Sequence, residues 1–187
     1  MGKKIILITG PKHSGKTLTA CTLKKIMGGE QLDLDELVEK QTGKKARMLF
    51  KEGPEIFKKA EERALVSLIG QTEPELSQLE QKYLIVAAGG GLVDNSGALA
   101  LLSSHSEIII VYLEVSAETA WQRILKTAAI DGELPPFLNT ENPKETHLAL
   151  HERRAGSYKV LAHFTIAAEN KSPEEIAGEI AKFCRYR

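Results

Sequence analysis

Residues 10–17 read Gly-Pro-Lys-His-Ser-Gly-Lys-Thr and follow directly on the apolar run Lys4–Thr9. The spacing is G-x-x-x-x-G-K-[ST], in the strand–loop–helix setting that gives the pattern its meaning. Gly10 and Gly15 let backbone N–H groups turn inward around an anion. The next helix, carrying Leu18, Cys21, Thr22, Lys25 and Ile26, aims its positive end at the same point. Lys16 offers a mobile charge to β- and γ-phosphates, and Thr17 offers a hydroxyl to Mg²⁺. Ser14 and Leu18 complete the stretch. The chemistry implied is capture of a nucleoside triphosphate; the bland alternative is a glycine-rich turn after an edge strand.

Two more groups stand where chemistry is expected. Gln31-Leu32-Asp33-Leu34-Asp35 falls at the carboxyl end of a second strand, where i and i+2 face the same way. Asp33 and Asp35 would then both point to the crevice above the loop. There one can hold a Mg²⁺ water and the other a hydroxyl proton. An Asp-x-Asp at a strand end is as often a helix cap as a site, but its distance from the loop favours a site. Gly89-Gly90-Gly91 closes a third strand, Tyr83–Ala88. Ligands bind at this edge of open α/β sheets, and side chains without carbon let the backbone approach them closely.

The elements that must hold these groups are legible as alternation. Lys4–Thr9, Glu30–Asp33, Tyr83–Ala88, Ile108–Leu113 and Phe164–Ala167 read as buried strands. Helical patterns at Pro54–Ile69, Ala117–Thr127, Lys144–Leu161 and Pro173–Tyr186 separate them. Phe57, Ala60, Ala64 and Leu68 make one apolar stripe, and Ser172-Pro173-Glu174-Glu175 is a strong helix start. Alternating strand and helix predicts an α/β fold, a parallel sheet with helices on both faces. Thr127–Pro143 has no helical period and contains Gly132 and Pro135-Pro136. It is read as a lid over the nucleotide, or else as a surface excursion. His13 is expected to face solvent. His147 and His151 are read as surface residues, since no carboxylate or cysteine stands by as a metal partner.

At 187 residues the chain fits one domain. Its 25 basic and 25 acidic side chains balance, and aromatic content is 5%, which argues against nucleic acid or an anionic membrane as partner. Cys21 and Cys184 are expected to be buried and reduced. No segment is apolar enough to span a bilayer, and no signal peptide precedes the first strand, so the cytoplasm is the expected compartment.

Nearly end to end, the chain resembles the shikimate kinases, small P-loop enzymes that phosphorylate a hydroxyl of shikimate with ATP. The motifs that carry the resemblance are GPKHSGKT, Asp33-x-Asp35, Glu39-Lys-Gln-Thr-Gly43 and Ile56-Phe57-Lys58-Lys59-Ala60-Glu61-Glu62. Ala88-Gly89-Gly90-Gly91, Val111-Tyr112-Leu113-Glu114-Val115 and Glu152-Arg153-Arg154-Ala155-Gly156-Ser157-Tyr158 extend it. The resemblance implies a three-layer P-loop kinase fold with strand order 2-3-1-4-5, ATP and Mg²⁺ as cofactors, and a monomer acting on a small molecule. It implies a substrate-binding segment over about 34–70 and a lid over about 127–143. Lys16 and Thr17 would serve the phosphates and Mg²⁺, with Asp33 in the metal's outer shell. Asp35 would be the base, and Gly89, Gly90 and Gly91 would line the substrate pocket. Arg154 would grip the substrate carboxylate, although Arg153 could equally be the inward one. Arg123 would stack on adenine, with the loop before Pro173 on the ring's other side.

The sequence departs from that family in two places. Lys58 stands where a second carboxylate-binding arginine is expected; it keeps the charge and loses the planar fork. The lid arginine is missing: Thr127–Pro143 holds no Lys or Arg, while Asp131, Glu133 and Glu141 are acidic. Lys126, Lys144 and Arg153 are the candidates to reach in from the flanking helices. These departures leave two alternatives to a shikimate kinase: a kinase for another small hydroxy acid or sugar acid, and a catalytically impaired nucleotide-binding regulatory domain.

Overall fold

Ile5 and Leu7 face one side of strand β1 (Lys4–Thr9), Ile6 and Ile8 face the other, and all four are fully buried. A strand apolar on both faces must be covered on both, which is the condition for a parallel sheet between helix layers. The protein is described here by a computed structural model covering residues 4–70 and 83–186. Strands β2 (Glu30–Asp33), β3 (Tyr83–Ala87), β4 (Ile108–Glu114) and β5 (Phe164–Ala167) join β1 in one parallel sheet of order β2-β3-β1-β4-β5.

Helices α1 (Lys16–Met27) and α8 (Pro173–Arg185) cover one face, where Ala20, Leu23, Ile176 and Ile180 pack on Ile6, Ile8 and Ile109. Helices α2 (Leu34–Thr42), α4 (Pro54–Gly70) and α5 (Ser96–Ser104) cover the other, through Leu34, Val38, Leu65, Leu68 and Leu102. Helices α3 (Ala46–Glu52), α6 (Ala117–Asp131) and α7 (Pro143–Leu161) complete the chain at the carboxyl edge of the sheet. Ser172 caps α8 in a reciprocal capping box with Glu175, as the local sequence predicts. From β1 the chain passes to β2 on one side and later to β4 on the other. The carboxyl end of β1 therefore lies at the topological switch point, where open α/β sheets hold ligands.

The five strands stand within a residue of their expected positions. The helices α2, α3 and α5 have 9, 7 and 9 residues and escape a periodicity reading because each offers barely two turns. The expected non-helical stretch from Thr127 is also corrected. Helix α6 continues through Ala128-Ala129-Ile130 to Asp131 and is closed by Gly132 at φ 78°, so only 132–142 lies between helices.

Candidate active site

Gly10 leaves β1 at φ 144°, and a Cβ there would stand 2.6 Å from the carbonyl oxygen of Leu113. Only glycine allows the loop to lie so close to β4. Helix α1 then begins without a side-chain cap and without an acid in its first turn, leaving its N–H groups and positive end for an anion. Lys16 folds back along the loop, its Nζ donating to the carbonyls of Gly10 (3.0 Å) and Pro11 (2.8 Å). Burial, then the neighbouring Lys12, lower its pKa to about 8 against the pull of Asp35 and Asp33. Arg123 on α6 donates to the carbonyl of His13 at 2.9 Å and so ties the loop to that helix. His13 does not face solvent. At φ 61° its half-buried ring lines the cavity, and burial, followed by Lys12 and Lys16, lowers its pKa to about 4.

The two aspartates reach the site by a route other than strand alternation. Strand β2 ends at Asp33, which caps α2, and Asp35 lies in the first turn of that helix. Asp33 thus both caps α2 and lines the cavity: Oδ1 accepts from the Asp35 N–H at 3.0 Å, and Oδ2 accepts from the Thr17 hydroxyl at 3.0 Å. Asp35 Oδ1 is buried with no hydrogen-bond partner. Burial, then Asp33, raise the Asp35 pKa, while Lys16 and Lys12 oppose the rise.

Behind Asp35 sits Glu61 of α4, a buried carboxylate that the sequence reading missed. Its Oε2 accepts from Asn95 Nδ2 at 3.0 Å and its Oε1 has no partner. The one available signal was its place four residues after Phe57, on the apolar side of the helix. Burial outweighs the Asn95 hydrogen bond, Asp35 adds repulsion, and the pKa rises from 4.5 to about 7. The folded state therefore holds the proton more tightly than the unfolded one, and stability falls as pH climbs from about 4.5 to about 7, by roughly 3 kcal/mol. Denaturant titrations at pH 5 and pH 8 should show this fall in the wild type. Glu61→Gln should lose most of it, and an equal pH slope in both proteins would contradict the assignment.

Two glycines of the triplet, Gly89 and Gly90, are needed for closeness, whereas a Cβ on Gly91 would make only ordinary contact, 3.7 Å from Arg154 Nη2. None of Gly89, Gly90 and Gly91 has positive φ. A Cβ on Gly89 would meet Asp35 Oδ1 at 3.2 Å, and one on Gly90 would meet the Gly10 carbonyl oxygen at 3.1 Å and the Lys12 backbone N at 3.3 Å. Tyr158, stacked on Tyr112 with centroids 4.8 Å apart, donates its hydroxyl to the Gly90 carbonyl at 2.5 Å. Of the two adjacent arginines, Arg154 is the inward one and stands beside Gly91. Its Nε and Nη2 donate to Asp94 Oδ2 at 2.8 and 2.6 Å, while Arg153 grips both Asp94 oxygens from the exposed side. Burial works against the Asp94 charge, yet these hydrogen bonds prevail and lower its pKa.

These groups surround a cavity of about 590 Å³. Lys16, Thr17, Asp33, Asp35, the glycine triplet and Arg154 all line it, and Leu18 joins them. Gly10, Gly15 and Ser14 frame the loop, with Gly15 also on the cavity wall. Arg123, Pro173 and Lys58 are not among the lining residues; Lys58 pairs with Glu55 at 2.8 Å instead. Lys126, Lys144 and Arg153 do not line it either, and Lys144 pairs with Glu118 at 3.1 Å. Arg47 of α3 does. Its Nη2 meets Glu133 Oε2 at 2.7 Å and the Leu134 carbonyl at 2.9 Å, a contact across 87 positions that no local signal announces.

The two histidines of α7 also depart from expectation. His147 is buried and His151 half-buried, with their Nε2 atoms on the carbonyls of Ala117 (2.9 Å) and Val115 (3.1 Å). They fasten α7 to the start of α6. No group of three or more His, Cys, Asp or Glu suited to a metal ion occurs among the described residues. Cys21 is half-buried rather than buried, while Cys184 is buried as expected. No helix among the described residues is long and apolar enough to cross a membrane.

Comparison with known proteins agrees with this geometry. The family model described as "Shikimate kinase" matches residues 12–185. The shikimate kinase of Vibrio parahaemolyticus is 28% identical over 186 residues, covering 99% of this chain and 98% of that protein. That of Vibrio vulnificus is 30% identical over 181 residues, covering 96% and 95%. Among solved structures, the shikimate kinase of Acinetobacter baumannii in complex with shikimate superimposes with a TM-score of 0.81 at 26% identity, over 98% of this chain and 94% of that one. The phosphate loop, the parallel sheet of order 2-3-1-4-5 and the extent of these matches lead to one conclusion: the chain belongs to the shikimate kinase family.

Proposed function

We propose that this protein transfers the γ-phosphoryl group of ATP to a hydroxyl of shikimate, giving shikimate 3-phosphate and ADP. The observation that carries the reading is Asp35 Oδ1, a buried carboxylate oxygen without a partner, on the wall of the same cavity as the phosphate loop. An orphaned acceptor of this kind is costly unless a ligand's O–H completes it. Asp35 would take the hydrogen bond of the acceptor hydroxyl and then its proton. The acceptor oxygen forms the new bond to phosphorus as the bond to the ADP oxygen breaks. The α1 N-terminus and Lys16 hold the phosphates. Arg154, oriented by Asp94, would meet the shikimate carboxylate. The Thr17 hydroxyl and Asp33 carboxylate are hard oxygen donors 3.0 Å apart and suit Mg²⁺, which when bound neutralises phosphate charge.

A kinase for another small hydroxy acid is the second reading. The pairing of Lys58 with Glu55 favours it, because the acceptor side then lacks one expected cation. Calorimetric titration of shikimate into protein carrying a non-hydrolysable ATP analogue and Mg²⁺ separates the two readings. Saturable binding together with shikimate-dependent ADP release supports the first; turnover only on other hydroxy acids supports the second. ATP binding with no turnover on any acceptor would leave a regulatory nucleotide-binding domain.

The segment 127–143 acts in this reading as a lid, and it is held down at two points. Leu134, Phe137 and Leu138 pack on Trp121 and Ile124, and Glu133 and Leu134 take Arg47 from the opposite wall. Trp121 is the chain's one tryptophan, so its emission reports on the lid. Arg47→Ala should red-shift that emission and increase its quenching by acrylamide, with unchanged circular dichroism. Identical spectra would mean that the apolar contacts alone keep the lid closed.

A further inference from the structure

Four side chains with permanent or near-permanent positive charge line the cavity among the described residues: Lys12, Lys16, Arg47 and Arg154. Three have partners in the empty site. Lys16 is hydrogen-bonded to the loop carbonyls, Arg47 to Glu133 and Leu134, and Arg154 to Asp94. Lys12 has no side-chain hydrogen bond or ion pair among the described residues. It stands at the tip of the phosphate loop, its backbone N packed over Gly90, and its charge acts on Lys16, His13 and Asp35. The loop thus carries two adjacent lysines beside one another's charge, and the facing carboxylates Asp33 and Asp35 do not bond to Lys12. Two like charges on one loop add their fields and attract an anion.

We propose that Lys12, from within the phosphate loop itself, supplies the cation that stabilises the transferring phosphoryl group, the role the arginine-free lid does not fill. The proposal rests on the kinase reading above. Lys12 lines the cavity that the phosphate loop shares with Asp35 and the glycine triplet, and its backbone N stands 3.3 Å from where a Cβ on Gly90 would be. In the transition state charge is spread over the three equatorial oxygens of the phosphoryl group and builds on the leaving oxygen. A cation placed in that cavity to meet this arrangement acts on the transition state more than on bound ATP. The acidic lid then closes over the far wall, through Arg47, and needs no contact with the phosphates.

The test compares wild type, Lys12→Met and Lys12→Arg. Lys12 is exposed, so neither substitution disturbs the core. Lys12→Met should lower kcat by about 10²- to 10³-fold with little change in KM for ATP, and Lys12→Arg should restore most of it. Affinity for ADP and Mg²⁺, measured by calorimetry with and without aluminium fluoride as a mimic of the flattened phosphoryl group, gives a second readout. Wild type and Lys12→Arg should gain affinity with fluoride, and Lys12→Met should not. An equal gain in Lys12→Met, no gain in the wild type, or a raised KM for ATP with unchanged kcat would overturn the proposal. A wild type that gains affinity with fluoride yet phosphorylates neither shikimate nor another hydroxy acid would refute the kinase reading alone, and the fluoride comparison would still decide for or against Lys12.

Discussion

Replacing Asp35 by asparagine is expected to lower acceptor-dependent ADP release by about 10²- to 10⁴-fold while leaving ATP affinity within a small factor. Asparagine keeps the volume and one acceptor oxygen, so the hydroxyl can still dock; what is lost is the capacity to take its proton. The same change should stabilise the empty protein. Asp35 is a buried carboxylate whose charge is opposed by burial and by Asp33, and it raises the pKa of Glu61 behind it. Removing that charge relieves both neighbours. Loss of turnover with a raised melting temperature is the expected pair of results, read by a coupled ADP assay and by thermal denaturation. Full turnover in Asp35→Asn would remove Asp35 from the chemistry, and a lowered melting temperature would mean that its charge is satisfied in the fold.

Lys16→Met should be at least as severe, on the order of 10³-fold or more in kcat/KM, and it should weaken nucleotide binding as well. In the empty protein the Lys16 ammonium rests on the carbonyls of Gly10 and Pro11. Bound phosphate replaces those neutral acceptors with charged ones and so adds ion pairing to hydrogen bonds whose donor is already charged. Methionine keeps the length of the stem and removes the charge together with both hydrogen bonds to the loop. Isothermal titration with ATP analogues and steady-state kinetics separate the two losses. The Asp35 variant should fail in turnover alone; the Lys16 variant should fail in both. A Lys16→Met protein that binds ATP as the wild type does would remove the phosphate-holding role.

The parts of the site readable from sequence are those whose geometry is local. The loop 10–17 needs only its own spacing to make an anion nest, and β1 needs only its double-faced apolarity to demand a covered parallel sheet. The cap at Ser172 is likewise complete within four residues. Asp33 and Asp35 were found for a reason that did not hold: their spacing suggested two residues of one strand, whereas the chain turns into α2 between them. The pair still converges because a helix beginning at that point aims its first turn at the crevice.

Contacts made across the fold left no trace in the pattern. Arg47 looks like an ordinary charge on a short helix until Glu133 and Leu134 arrive from the lid, and His147 and His151 look like a solvated pair until α6 offers its carbonyls. Arg153 and Arg154 both bind Asp94, 59 and 60 positions away, and only the fold shows that Arg154 is the one beside Gly91 in the cavity. Sequence by itself determined the kind of sheet, the nucleotide loop and the carboxylates, since local spacing and burial pattern are properties of the chain. Only the tertiary structure decided which charges are hydrogen-bonded to a partner and which, like Lys12, line the cavity with no such bond among the described residues. Pairing depends on distances between segments, and those distances exist only once the chain has folded.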